Sequence, residues 1–357
     1  MRTDVPERWP ENATFELTVR CNLQCKMCLF RHDRSENFSL KQRELTASQW
    51  IDMAKQAAEM GTAGLLITGG EPMLRSDFAE IYEGIYRQGF ITELYTNATL
   101  VTDEIMSLLT RFPPHKIGVT LYGASAETYE KVCGNGSAFQ RAIDGIHRLM
   151  TLPSEIDFRT TVIKDNLCDV DAMEELVHRE FGKEYFLTQT RMVMKSVRGA
   201  CADVGSCRLC PEDNVRLAYR RSINQIKSIV GDRFDDGYIK LKLKEKDDAE
   251  CRDMGYSLLG CSGGMTSYTV TYDGKLQACQ VLGAYRTDAL SDGLQKAWER
   301  FPFEVKHPPL DERCMICEIA ELCQSCPASR YAETGSTGGF VEYACLDAKA
   351  LNNMIER

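Results

Sequence analysis

Short apolar strands alternate with amphipathic helices through the first 200 residues, and this alternation limits the fold more than any single motif. TFELTV (14–19), AGLLIT (63–68), FITELYT (90–96), KIGVTLY (116–122), IDFRTTVI (156–163) and EYFLTQTRMVM (184–194) read as six strands. Helical periodicity fills the gaps, first from a Thr46 N-cap to about Gly61, then at 76–88, 102–111, 125–131, 137–150 and 169–181. Repeated βα units require a parallel sheet with right-handed crossovers. Six of them make either an open doubly wound sheet or a partial barrel. In both, chemistry sits at the C-terminal ends of the strands.

Near residue 200 the pattern breaks. RGACADVGSCRLCPED (198–213) is rich in Cys, Gly and Asp, a polar helix is expected at 213–230, and the charged stretch LKLKEKDDAECRD (241–253) reads as a solvated linker. Beyond it lie short strands, glycines and cysteines. The expected domains are 1–200, a linker over 201–250, and a small cysteine-rich domain over 251–357. Apolar residues make up 43% of the chain, enough for a buried core. The net charge of −9 disfavours a nucleic-acid partner. No apolar run approaches the roughly 18–20 residues that span a bilayer. The opening MRTDVPERWPEN has no signal-peptide core. A cytoplasmic location without membrane contact is therefore expected. In that compartment the sixteen cysteines point to metal or redox chemistry rather than disulfides.

CNLQCKMC (21–28) follows the first strand directly. A loop with this spacing wraps the thiols of Cys21, Cys25 and Cys28 around one face of an iron–sulfur cubane and leaves one iron open to a chelating ligand. The same spacing also suits three of four zinc ligands, or a cluster with a distant fourth cysteine. GGEP (69–72) closes the second strand. Gly69 and Gly70 let backbone approach a ligand, and Glu71 can accept from an ammonium group; a plain β-turn is the alternative. Thr96 and Asn97 end the third strand, where a ribose or carboxylate could bind.

In this order, CxxxCxxC, GGEP, TN and VTLYGAS (119–125) resemble the radical S-adenosylmethionine (SAM) superfamily over essentially residues 14–195. The resemblance implies a partial (β/α)6 barrel with a [4Fe–4S] cluster that reductively cleaves SAM to methionine and a 5′-deoxyadenosyl radical. It also implies that Met27 packs near the adenine, that Gly69 to Glu71 hold the amino group, and that Thr120 contacts the methionyl part. Relatives often carry an arginine for the SAM carboxylate where this chain has Cys133. Arg159 and Arg191 are the substitutes considered.

A second resemblance covers residues 261–345. Cys261 and Cys279 flank a hairpin with Asp273-Gly274 at its turn, and Cys314, Cys317, Cys323, Cys326 and Cys345 follow. Zinc knuckles are one reading of such CxxC pairs. The pattern is similar to the SPASM extension of radical SAM enzymes, with two residues rather than three between Cys323 and Cys326. That resemblance implies two auxiliary clusters, the outer on Cys314, Cys317, Cys323 and Cys345, the inner on Cys261, Cys279 and Cys326. Two closed clusters ask for about eight ligands; Cys251 is the favoured eighth, with a cysteine of the 201–210 group or an iron left open to substrate as the alternatives. Cys201, Cys207 and Cys210 form a third group that the family pattern does not place.

The leading expectation is an enzyme that modifies a ribosomal peptide or protein by crosslinking, epimerisation or oxidation. It would be supplied by an external electron donor such as flavodoxin or ferredoxin. A leader-peptide-binding protein would be separate, since few residues precede Cys21. The alternatives are a radical dehydrogenase acting on a sugar or alcohol, and a non-catalytic zinc or iron–sulfur scaffold.

Overall fold

A computed structural model describes residues 7–195, 197, 200, 202–231 and 257–356. The six expected strands are present: β1 Asn12–Thr18, β2 Gly64–Gly69, β3 Ile91–Thr96, β4 Lys116–Thr120, β5 Glu155–Thr161 and β6 Leu187–Thr190. Adjacent strands pair in parallel in the order β6-β5-β4-β3-β2-β1. The intervening helices are α1 Asn37–Arg43, α2 Ala47–Glu59, α3 Phe78–Tyr86, α4 Asp103–Arg111, α5 Ala126–Cys133, α6 Ala138–Leu149 and α7 Val170–Glu180. The fold is α/β, a partial (β/α)6 barrel.

Local chemistry explains why the elements start where they do. Thr46 caps α2 in a reciprocal box with Gln49, which satisfies two otherwise orphaned N–H groups. Thr102 and Ser125 cap α4 and α5 in the same sense. The helices bury one stripe each: in α6 it is Ala138, Ala142, Ile143, Ile146 and Leu149. Strand alternation supplies the facing layer. Phe15, Leu17, Leu65 and Ile67 are fully covered, and Phe15 meets Trp50 of α2 at a ring separation of 5.1 Å.

Three further strands extend the sheet beyond β1: β7 Ser267–Val270, β8 Lys275–Gln277 and β9 Thr287–Asp288. The expected hairpin is there, with β7 and β8 antiparallel and Gly274 at φ 76° in its turn. Its placement corrects the expected domain plan. β7 pairs in parallel with β1, setting Asn12–Phe15 against Ser267–Val270. The Tyr268 hydroxyl lies 3.0 Å from that of Thr62, and the Leu294 N–H donates to Gln56 at 2.7 Å. One compact unit therefore comprises Met1–Arg208 and Gly263–Val305; the other comprises Leu209–Ser262 and Lys306–Arg357. In the second unit α9, the helix Pro211–Val230 (α8 being the short turn Val204–Cys207), packs on the helix Glu342–Glu356. Asn214 donates to the buried Asp347 at 2.6 Å in that contact. Among the described residues no helix is long and apolar enough to cross a membrane.

Candidate functional site

The C-terminal ends of β1, β2, β3 and β4 deliver the expected residues to one place. The chain leaves β1 through Arg20 and enters the cysteine loop. Two backbone bonds tie that loop to the end of α5: Gln24 N–H to the Cys133 carbonyl and Lys26 N–H to the Val132 carbonyl, both 3.0 Å. Lys26 also pairs with Asp165 at 2.8 Å. Cys25 is buried, while Cys21 and Cys28 are partly buried. The three thiols line one small cavity of about 50 Å³ with Gly70 and Tyr122.

Backbone N–H groups already point at the sulfurs. Leu23 donates to Cys21 and Phe30 to Cys28, each at 3.4 Å. Such donors stabilise thiolate and tune bound metal. Burial pushes the Cys21 thiol up, with the Glu71 charge adding to it. Cys25 is raised first by its hydrogen bond to Cys133, then by burial and the charges of its two companions. Burial also raises Cys28.

GGEP closes β2 for a reason that the sequence reading did not anticipate. A Cβ on Gly69 would meet the Thr18 carbonyl, and one on Gly70 the Arg20 carbonyl. Gly69 also sits at φ 142°. The glycines let the turn press against the strand that carries Cys21, with Gly70 N–H bonded to the Thr18 carbonyl at 2.7 Å and Glu71 N–H to the Arg20 carbonyl at 3.0 Å. Gly70→Ala is expected to push the Arg20–Cys21 backbone outward, at a cost of about 1–3 kcal/mol. A urea melt and the iron retained per chain measure it.

Glu71 is fully buried. Its carboxylate accepts from the Thr96 hydroxyl at 2.9 Å, the Asn97 N–H at 2.8 Å and the Met73 N–H at 3.2 Å. Burial lifts its carboxyl to about 7, against the pull of those donors. Glu71 thus staples β2 to the end of β3, and Thr96 serves that staple. Asn97 does face the cysteine loop: its Nδ2 lies 3.7 Å from the Cys21 sulfur and donates to Asn22 at 3.0 Å. Asn22 donates in turn to Thr99 at 2.7 Å. Ala98, between them, adopts φ 58°, a left-handed conformation costly for a side-chain-bearing residue. The Thr96 hydroxyl accepts its N–H at 3.0 Å.

Thr120 ends β4 opposite Arg159 of β5. Met27 is buried among Leu23, Tyr129, Val132 and Ile163. Arg159 is held by Asp157 at 2.6 Å and lies over the Tyr95 ring at 4.3 Å. Arg191, just past β6, is partly buried and has an interaction partner of its own. Tyr122, Asn22 and Cys133 were not singled out as site residues. Tyr122 stands within VTLYGAS, two residues past β4, where a strand-end position was the available signal.

Of the remaining cysteines, Cys279 follows β8 in the first unit. Cys261, Cys314, Cys317, Cys323, Cys326 and Cys345 belong to the second. The Cys314 thiol is raised by burial, and it feels the charges of Cys323 and Cys317. Cys326 caps the helix Pro327–Thr334. Among the described residues, no three or more His, Cys, Asp or Glu side chains form a single-ion metal site. Cys207 is buried and Cys210 exposed. Cys201 and Cys251 lie outside the described residues.

Residues 15–177 match the sequence profile of the radical SAM superfamily. Over 337 residues the chain is 28% identical to an AdoMet-dependent heme synthase of Methanosarcina barkeri, covering 91% of this chain and 93% of that protein. A protein of the same name from Oleidesulfovibrio alaskensis is 23% identical over 340 residues, covering 90% and 84%. The structure of Streptococcus suis SuiB bound to precursor peptide SuiA superposes with a TM-score of 0.68 at 16% identity, covering 95% of this chain and 76% of that one. AdoMet-bound anSMEcpe superposes at 0.65 with 18% identity, covering 96% of both chains. At such identities the structures establish a shared fold. The profile match lies over the strands and loops that build the thiol cavity, so it is residues 15–177 that are similar to the radical SAM superfamily.

Proposed function

We propose that Cys21, Cys25 and Cys28 hold a [4Fe–4S] cluster with SAM beside it, and that the enzyme abstracts hydrogen from a small molecule of the tetrapyrrole class. The observation that carries the first part is the convergence of three buried or half-buried thiols on one cavity. Each thiol resists ionising there, because burial opposes a negative charge, and at Cys21 and Cys25 the neighbouring sulfurs add to it. A cationic iron centre relieves that opposition, as metal binding displaces thiol protons.

When bound, the pair supplies a primary alkyl radical, the difficult part of the chemistry. The chain's own residues position and shield. Asn97 and Asn22 fix Cys21, and Glu71 fixes the turn behind it. Leu23 and Tyr122 present an apolar wall that keeps water from a reactive centre. An external one-electron donor of the flavodoxin or ferredoxin type completes the system. The SPASM-like cysteines remain part of the proposal, with the outer auxiliary cluster on Cys314, Cys317, Cys323 and Cys345.

The substrate class rests on the relatives. Those similar along nine-tenths of this chain are named for haem synthesis, and a shorter match is named Fe-coproporphyrin III synthase. A peptide substrate is the second reading, favoured by the fold shared with peptide-bound SuiB. Anaerobic assay of reconstituted enzyme with SAM and dithionite separates them. Iron coproporphyrin III is expected to raise 5′-deoxyadenosine formation and to be consumed with it. An unchanged porphyrin, with deoxyadenosine raised only by a peptide, would reverse the assignment.

A further inference from the structure

The segment after Cys28 rims the thiol cavity, with His32 and Asn37 in its lining. A 3-10 turn, Arg34–Glu36, runs directly into α1. Leu40, fully buried, anchors α1 against Val19 and Tyr272. Helical side chains three and four positions apart are neighbours, so Arg34, Phe38 and Lys41 form one outward stripe beside Asn37. Phe38 is 74% exposed, and both cations are exposed. The carboxylates near them are engaged elsewhere: Glu36 with His32, Glu44 with Arg20, and Asp33 with Ser35. Among the described residues Arg34 and Lys41 make no ion pair. A lone exposed phenylalanine is ordinary. An exposed aromatic between two uncommitted cations, on a chain of net charge −9, has the makeup of a surface for a flat anionic ligand.

We propose that this stripe is where the substrate porphyrin docks, its ring against Phe38 and its peripheral carboxylates on Arg34 and Lys41. Coproporphyrin is a broad apolar plane with carboxylates spread around its edge, so one rigid ligand meets the aromatic and both cations together. Charge complementarity selects it, and it also draws such a ligand out of solution faster than the acidic remainder of the chain would allow. Location agrees. The stripe adjoins Asn37 on the cavity wall, which sets a docked ring next to the proposed radical centre.

This inference rests on the proposed tetrapyrrole substrate, and the test separates the two. The full-length, cluster-reconstituted protein is titrated, by its effect on the porphyrin's Soret band, with iron coproporphyrin III and with an iron porphyrin bearing four cationic N-methylpyridyl arms. Arg34→Glu/Lys41→Glu is expected to weaken coproporphyrin binding roughly 10-fold and to tighten binding of the cationic porphyrin. Phe38→Ala is expected to weaken coproporphyrin binding roughly 3- to 10-fold. Iron per chain and circular dichroism check that the variants are loaded and folded. Unchanged coproporphyrin affinity in both variants would overturn the docking face and leave the tetrapyrrole reading standing. Equal weakening of both porphyrins by the charge reversal would do the same, because charge complementarity must act on them in opposite senses. So would intact porphyrin affinity in variants that had lost a peptide-stimulated yield of deoxyadenosine. A wild-type protein that binds no coproporphyrin would defeat the proposed substrate class, and this inference with it.

Discussion

Cys25→Ala is expected to reduce SAM cleavage to background while the chain stays folded. Cys25 is the most buried of the three thiols and packs against Leu23, Tyr129, Val132 and Cys133. Removing one sulfur from that setting costs about 1–2 kcal/mol in lost contacts and a small cavity, well within the usual stability margin. The effect on chemistry is of another order, because only three protein ligands are proposed and none is spare. Deoxyadenosine by chromatography and iron per chain are the measurements, with circular dichroism as the control for folding. Cys133→Ala is the informative companion, since it deletes the thiol that touches Cys25. It is expected to keep both iron and cleavage. If it lost them while Cys25→Ala kept them, the ligand assignment would be wrong.

Glu44→Ala is expected to be among the most destabilising single changes in the chain. The Glu44 side chain is only 4% exposed. It holds Arg20 through two bonds, meets Arg75 at 3.4 Å and accepts from the Thr18 hydroxyl. Arg75 is equally buried and also donates to the carbonyls of Leu17 and Leu45 at 2.9 Å. Removing the carboxylate strands the Arg20 guanidinium in a low-dielectric setting, a change that costs about 3–5 kcal/mol, while Arg75 keeps its pair with Asp77 at 2.7 Å. Glu44→Gln keeps one acceptor and should lose less. Chemical denaturation compares them, and a loss under about 1 kcal/mol for the alanine variant would show the network to be an ordinary surface pair. The change should also reach the site. Arg20 immediately precedes Cys21, and its carbonyl takes the Glu71 N–H. A loosened Arg20 should therefore let the cysteine loop release iron faster on dilution into chelator, even where the chain remains folded.

The βα plan was legible because its signal is local. Apolar runs and caps such as Thr46, Thr102 and Ser125 mark their own boundaries, and β1 to β5 lie within about two residues of where periodicity placed them. β6 is shorter than expected. It is the outer strand of the sheet and pairs on one side, through Phe158–Thr161 alone. The union of β7 with β1 could not be read. SYTV carries the same alternation in a separate domain as it does in the main sheet, and a parallel partner some 250 residues earlier leaves no trace in the strand itself. The expected C-terminal domain was consequently cut in the wrong place for Gly263–Val305.

At the site the division follows the same line. Spacing alone gathered Cys21, Cys25 and Cys28, since three thiols within eight residues on one loop must lie near each other. The roles of polar residues did not follow from type. Glu71 was expected to face an ammonium group, but the end of β3 offers it two donors and Met73 a third, and a buried carboxylate takes the partners nearest to it. Nothing in the sequence marked Arg20 or Glu44; Glu44, brought in after α1, takes the Arg20 guanidinium that precedes Cys21. Residue chemistry and local periodicity thus determined the parallel core and the thiol loop. Which strand joins which edge, and which charges meet, were decided only by tertiary structure, because burial sets a polar group's partners and burial is a property of the assembled fold.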